Sequence, residues 1–158
     1  MPLHLQIVTP ERLAFDGEVD EVIVPGSEGA LGVLPHHAPL ISLLGQGVLR
    51  LKCKGEDEEF AIFGGFLQVR PDRVVVLAET ADMAREIDVV RAERARQEAQ
   101  RVIEGGHLEP ADLVAARAAL ERALIRLKVA GRGPGARSLG EHEGPRRPAT
   151  RRQEPPGE

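Results

Sequence analysis

Between Val48 and Lys54 apolar and basic positions alternate: Leu49, Leu51 and Cys53 fall on one side of an extended chain, Arg50, Lys52 and Lys54 on the other. A period of two is the signature of a strand with one buried face, because successive side chains leave opposite faces. Gly55-Glu56-Asp57-Glu58-Glu59 then reads as a hairpin turn and Phe60–Phe63 as a resumed strand. Gly64-Gly65 interrupts it, and Phe66–Arg70 continues before the turn Pro71-Asp72-Arg73. Val74–Leu77 is apolar at every position, the pattern of a strand covered on both faces. Turn signals recur about every 8–12 residues, the spacing of an all-β sandwich or barrel.

Beyond about Asp82 the period lengthens to that of a helix. Ala92, Ala95, Ala99 and Val102 form one stripe, which Gly105-Gly106 ends. Pro110 suits a first helical turn, and Leu113, Ala116, Leu120, Ala123, Leu124 and Leu127 form a second stripe. Two helices joined by so short a loop predict an antiparallel hairpin. The stripes are narrow and rich in alanine, so the helices bury little against each other, roughly a few kcal/mol at about 25 cal/mol per Å². A hairpin so lightly held is able to open. Residues 131–158 contain almost no apolar side chains and predict a disordered tail rich in Arg, Pro and Gly. The expected organisation is an all-β sandwich over residues 1–81, a helical hairpin over 82–130 and the tail over 131–158.

Composition narrows the class. With 158 residues, no Trp or Tyr and four Phe, the core has to be aliphatic. A single cysteine, Cys53, leaves neither an intramolecular disulfide nor a thiolate zinc cage. No apolar run approaches the roughly 20 residues of a membrane span, and the N-terminus lacks a signal-peptide core, so a chain without a direct span is expected. The net charge of −4 is uneven: the tail carries six Arg against four Glu, which leaves −6 for the rest. That balance argues against a dedicated nucleic-acid binder.

Two stretches look like sites. "PGSEGALGVLPHHAPL", residues 25–40, sets adjacent histidines in a Gly- and Pro-rich segment. A metal site there is not expected, because neighbouring strand residues point to opposite faces and helical ligands need a spacing of four. Gly26, Gly29 and Gly32 instead permit turn dihedrals, and Pro35 and Pro39 stiffen the edges of a scaffold loop. In the helical region Asp88 and Arg91 lie three apart, and Arg122 and Arg126 four apart. In a closed hairpin an acid and three guanidinium groups can converge, the arginine forks suiting phosphate oxygens and the carboxylate a ribose hydroxyl or an exocyclic amine. The competing expectation is that Asp88 caps or pairs locally and the arginines are solvated. No phosphate-loop, dinucleotide-binding, nucleophile-elbow or HExxH pattern occurs, so no catalytic constellation is expected.

The blocks "GSEGALGVLPHHAPL", "FGGFLQV", "VVVLAETA", "IDVVRAERA" and "ALIRLKVA", in this order, resemble the epsilon subunit of bacterial and chloroplast F-type ATP synthases, over about Leu3 to Ala130. The resemblance implies a sandwich of about ten strands with a two-helix hairpin, and a non-catalytic subunit at the foot of the rotating central stalk. Its implied partners are the gamma subunit and the polar loops of the c-ring, at the cytoplasmic face of the bacterial membrane. It places the rotor contact near Ser27, Glu28 and His37. Many relatives carry an acid where this chain has Ala30, so a charge-based ring contact does not carry over to that position.

The resemblance further implies a regulatory arm. Extended along gamma, its second helix faces an acidic segment of the beta subunit and obstructs hydrolysis; Arg117, Arg122, Arg126 and Lys128 match those basic positions. In some relatives the folded hairpin binds ATP through an Ile/Leu-Asp-x-x-Arg-Ala motif, matched here by Ile87, Asp88, Arg91 and Ala92 together with Arg122 and Arg126. Glu98 falls where some binders have a basic residue. Regulatory ATP is the one small molecule implied. A stand-alone β-domain for sugar or metal, or a nucleic-acid adaptor using the Arg-rich tail, accounts for none of the ordered blocks.

Overall fold

The computed structural model describes residues 2–131; the tail expected over 131–158 lies, past Gly131, outside them. Eight strands come first: β1 (Leu3–Val8), β2 (Leu13–Val19), β3 (Glu21–Gly26), β4 (Gly29–Val33), β5 (Leu40–Leu43), β6 (Gln46–Cys53), β7 (Glu56–Val69) and β8 (Val74–Met83). A single 3-10 turn (Ala84–Glu86) leads to α1 (Val89–Glu104) and α2 (Pro110–Ala130). The strands hydrogen-bond in the order β2-β1-β8-β7-β6-β3-β4, with β5 also against β7. Every pairing is antiparallel except β1 with β8.

The two long strands make the sandwich. Glu56–Phe63 of β7 pairs with β6, whereas Phe66–Val69 pairs with β5. In β8, Val74–Leu77 has β1 as its second neighbour. The inward face changes parity at the same level: Phe60 and Ile62 point to the core before Gly64-Gly65, Leu67 and Val69 after it. Both strands therefore cross from one layer to the other, a known way of closing a sandwich corner. Counted by layer, the eight strands supply the ten segments of the expected sandwich.

Gly64-Gly65 thus bends β7 instead of ending it. Gly65 holds φ at 117°, and a Cβ there would lie 1.9 Å from the Leu77 carbonyl oxygen, so only glycine fits. The acidic run Glu56–Glu59 is likewise strand and not turn. The turn is Lys54-Gly55, both at positive φ (52° and 81°), the geometry of a tight hairpin. The acids extend the ladder because basic residues stand opposite: Arg50 faces Glu59, and Lys52 faces Asp57. Arg50 donates from Nε and Nη2 to Glu59 Oε1 at 3.1 and 3.0 Å.

The core is aliphatic apart from Phe60 and draws on both layers, for example Leu5, Ile7, Val24, Leu49, Leu51, Leu67 and Val76, all fully or almost fully buried. The helices pack outside it. α1 ends at Gly105, with Gly106 at φ 64°, and Pro110 opens α2. At 21 residues, α2 is five longer than α1, and its last turns seat Val129 on Ala61 and Phe63, the outward face of β7. Phe60–Phe63 is consequently buried on both faces. Leu124 leaves the expected stripe and stands 48% exposed.

Candidate functional site

The start of α1, the last turns of α2 and the end of β8 enclose a cleft of about 440 Å³. Asp88 stands just ahead of α1 in extended conformation (φ −76°, ψ 100°), and its Oδ1 accepts from the Arg91 amide at 3.0 Å. It satisfies one of the donors that a helix start leaves without a partner. Asp88 and Arg91 are therefore linked as an N-cap and not as a carboxylate–guanidinium pair. The arginine side chain lines the cleft from α1, and Arg122 and Arg126 line it from α2. Small residues, Ala92 and Ala95 facing Ala119 and Ala123, let the two helices approach beneath them. All four residues expected to converge, Asp88, Arg91, Arg122 and Arg126, are on one cleft.

Their electrostatic states differ. Arg126 donates from Nε to Asp82 Oδ2 at 3.1 Å, and its guanidinium lies 4.7 Å from the Phe63 ring centroid. Arg91 and Arg122 are exposed and make no ion pair among the described residues. Glu86 also borders the cleft and is held by Arg12 through two parallel bonds of 2.8 and 2.5 Å. The Arg12 guanidinium, helped by the Met83 amide, keeps the Glu86 carboxyl below its usual range, and Glu86 in turn raises Arg12. Asp82, Glu86, Arg12 and Phe63 carry no signal in the sequence. Their roles come from contacts spanning up to 74 positions. Glu98 bonds to Arg101 on the exposed side of α1 and does not border the cleft.

The four cations expected on the arm do not share a face. At 3.6 residues per turn Arg117 and Lys128 lie within about 20° of each other, while Arg122 and Arg126 lie roughly opposite. Lys128 lines a second groove with Arg50, Gly26, Gly29 and Ala30. That groove adjoins the β3–β4 hairpin, whose two-residue turn is Ser27-Glu28. Residues 25–40 are therefore not one loop: residues 25–33 are the end of β3, its turn and β4, and residues 34–39 connect onward to β5. His36 and His37 lie in this connection and not in a strand. His36 takes φ 67°, and His37 Nδ1 is 2.7 Å from the Ala38 carbonyl oxygen. No group of three or more potential metal ligands occurs among the described residues. Of the three glycines expected to supply turn dihedrals only Gly29, at φ 127°, does so; Gly26 and Gly32 have ordinary φ, so turn dihedrals do not explain them.

A second surface lies on the outer face of the other layer. Leu43 is opposite Phe66, Phe66 opposite Leu77, Leu77 beside Val8, and Val8 opposite Leu13. A bulge after Ile7 turns Leu13 outward while Ala14 and Phe15 pack on the core. The row crosses five strands, about 19 Å at roughly 4.8 Å per strand. Leu43, Phe66, Leu77 and Leu13 are each about half exposed. Val74–Leu77 is thus covered on one face only, and the apolar outer face expected to be buried is open.

The described residues thus form a sandwich carrying a docked helical hairpin, with a cleft lined by acids and arginines at their junction. Residues 2–84 match the ATP synthase delta/epsilon chain beta-sandwich domain, and residues 85–131 match the long alpha-helix domain of the same chain. The ATP synthase epsilon chain of Dehalococcoides mccartyi is 47% identical over 128 residues, which cover 81% of this chain and 91% of that one. That of Moorella thermoacetica is 47% identical over 131 residues, covering 82% and 96%. A chain in the Euglena gracilis mitochondrial ATP synthase, in a structure of OSCP, F1 and c-ring, shares the fold at TM-score 0.70 and 23% identity, covering 82% of this chain and 81% of its own. The chain belongs to the ATP synthase delta/epsilon family, as an epsilon chain, a non-catalytic subunit of the F-type enzyme. No helix among the described residues is long and apolar enough to cross a membrane.

Proposed function

We propose that this chain is the rotor connector of its ATP synthase. It joins gamma to the polar loops of the c-ring in the central stalk, coupling proton-driven rotation to ATP synthesis, and its hairpin restrains hydrolysis under the control of bound ATP. It sits peripherally at the cytoplasmic face of the bacterial cell membrane. The observation that carries the regulatory part is the convergence of Asp88, Arg91, Arg122 and Arg126 on one cleft. Guanidinium forks there suit the phosphates, and the carboxylates of Asp82 and Asp88 suit a ribose hydroxyl or an exocyclic amine. The open apolar row supports gamma as a partner on the sandwich, and the Ser27-Glu28 tip with His37 supports contact with the c-ring, without a charge from Ala30.

The extended arm would meet the acidic segment of beta through Arg117, Arg122, Arg126 and Lys128. Two of these four face the cleft while the hairpin is folded. Nucleotide and beta therefore draw on the same arginines, and ATP favours the folded state by its differential affinity for it. The test is the ATP hydrolysis rate of the cognate catalytic complex with the whole chain and with one cut after Ile87, which keeps Glu86 and its bonds to Arg12. The cut is expected to raise the rate mainly at low ATP. Equal rates at both ATP concentrations would remove the brake. Absence of any ATP-dependent heat or chemical-shift change in the purified chain at millimolar nucleotide would remove the ligand.

A further inference from the structure

We propose that Arg12 and Arg126 form a two-point latch that holds the folded hairpin on the sandwich in the absence of any nucleotide. The apolar seat is small: among the described residues only Ala61, Phe63 and Val129 are buried in it, with Val48, Ala84, Ile87 and Ile125 at its edge. So slight a seat leaves room for polar ties to add to it, and these stand at both chain ends of the hairpin. At the root, Arg12 precedes β2 and reaches across to the linker. Its fork holds both carboxylate oxygens of Glu86, and Nη2 also donates to the Ala81 carbonyl at 2.9 Å. Glu86 Oε2 accepts from the Met83 amide at 3.3 Å as well, so the linker is fixed against the end of β8. A fixed root keeps α2 close to its seat, which raises its effective concentration there.

At the far end Arg126 ties α2 directly to the sheet. Its Nε bonds Asp82 of β8, and its plane lies over Phe63 of β7. The two partners of that ion pair are 35% and 33% exposed, so the contact is half sheltered from water. Arg126 is therefore a positioning residue already engaged by the sandwich. An anion entering the cleft meets Arg91 and Arg122 free of ion pairs and has to compete with Asp82 for Arg126. The latch concerns the ligand-free chain and stands whether or not the cleft takes up nucleotide.

Ala61 gives a direct reading of docking, since it is fully buried and α2 is part of what covers it. In the full-length chain carrying Cys53→Ser and Ala61→Cys, without nucleotide, the rate of thiol modification by a maleimide follows the undocked fraction. A parallel chain with Cys53→Ser and Val76→Cys, a fully buried core position, follows opening of the sandwich itself. Arg12→Ala and Arg126→Gln are each expected to speed modification at position 61 by about two- to fivefold, the range exposed ion pairs support, and the double variant to exceed either single one. The core rate should not move, and the exchange Arg12→Glu with Glu86→Arg should return position 61 towards its starting rate. An unchanged rate at 61 in the single variants would overturn the latch. So would an equal rise at 76, which would mean that the whole sandwich had loosened.

Discussion

At Gly65 the backbone sits at φ 117°, with the Leu77 carbonyl where a side chain would begin. Gly65→Ala is expected to destabilise the sandwich by about 3–5 kcal/mol, because a positive φ and a backbone clash act together and neither strand can retreat without losing its ladder. Urea unfolding of the purified variant checks this. Gly32→Ala is the matched control: nothing lies within 4 Å of a Cβ there and φ is ordinary, so its stability should change by less than about 1 kcal/mol. If both substitutions cost the same, the bend in β7 does not depend on the diglycine. The same residue-level logic separates the arginines of the cleft. Arg126 is bound to Asp82 and Phe63, while Arg91 and Arg122 point to it without an ion pair, although all three look alike in the sequence.

Among the elements, α2 contributes to docking, beside the Arg126 tie, one fully buried apolar side chain, Val129. Val129→Ala should weaken that docking by about 2 kcal/mol, since it removes methyl groups from a seat too small to repack. Amide hydrogen exchange in the last turns of α2 should then accelerate about thirtyfold, while β1 and β6 exchange as before. Much of this architecture was legible locally. The alternation of Leu49 and Leu51 with Arg50 and Lys52 marked β6, and Gly105-Gly106 with Pro110 marked the hairpin loop. Glu56–Glu59 looked like a turn because four acids in a row disfavour a strand until Arg50 and Lys52 are seen opposite. Gly64-Gly65 looked like an interruption because a strand changing layer has no local mark. Of the cleft, the residues on the helices could be found from motif spacing; Asp82, Glu86, Arg12 and Phe63 could not, since tertiary pairing alone brings them there.

For the whole molecule, the open row from Leu43 to Leu13 is the surface proposed above for gamma. Phe66→Ser and Leu77→Ser should leave the isolated protein within about 1 kcal/mol of its original stability, because both side chains are half exposed already. Retention of gamma during co-purification should fall sharply. Retention at the original level would place gamma on another face. The parallel pairing of β1 with β8 has a consequence of a different kind. Of the described strands β1 is synthesised first, and its inner neighbour, paired from Leu5↔Val74 to Val8↔Leu77, last. While the chain is being made, Leu5 and Ile7 have only β2 beside them, and one edge of β1 stays open until residue 77 has cleared the ribosome. Closure then depends on a contact nearly seventy residues long, which belongs to the slow class of folding events. A nascent chain halted before Val74 would present that edge to chaperones, so the pace of translation through β7 and β8 decides how long the sandwich remains unsealed.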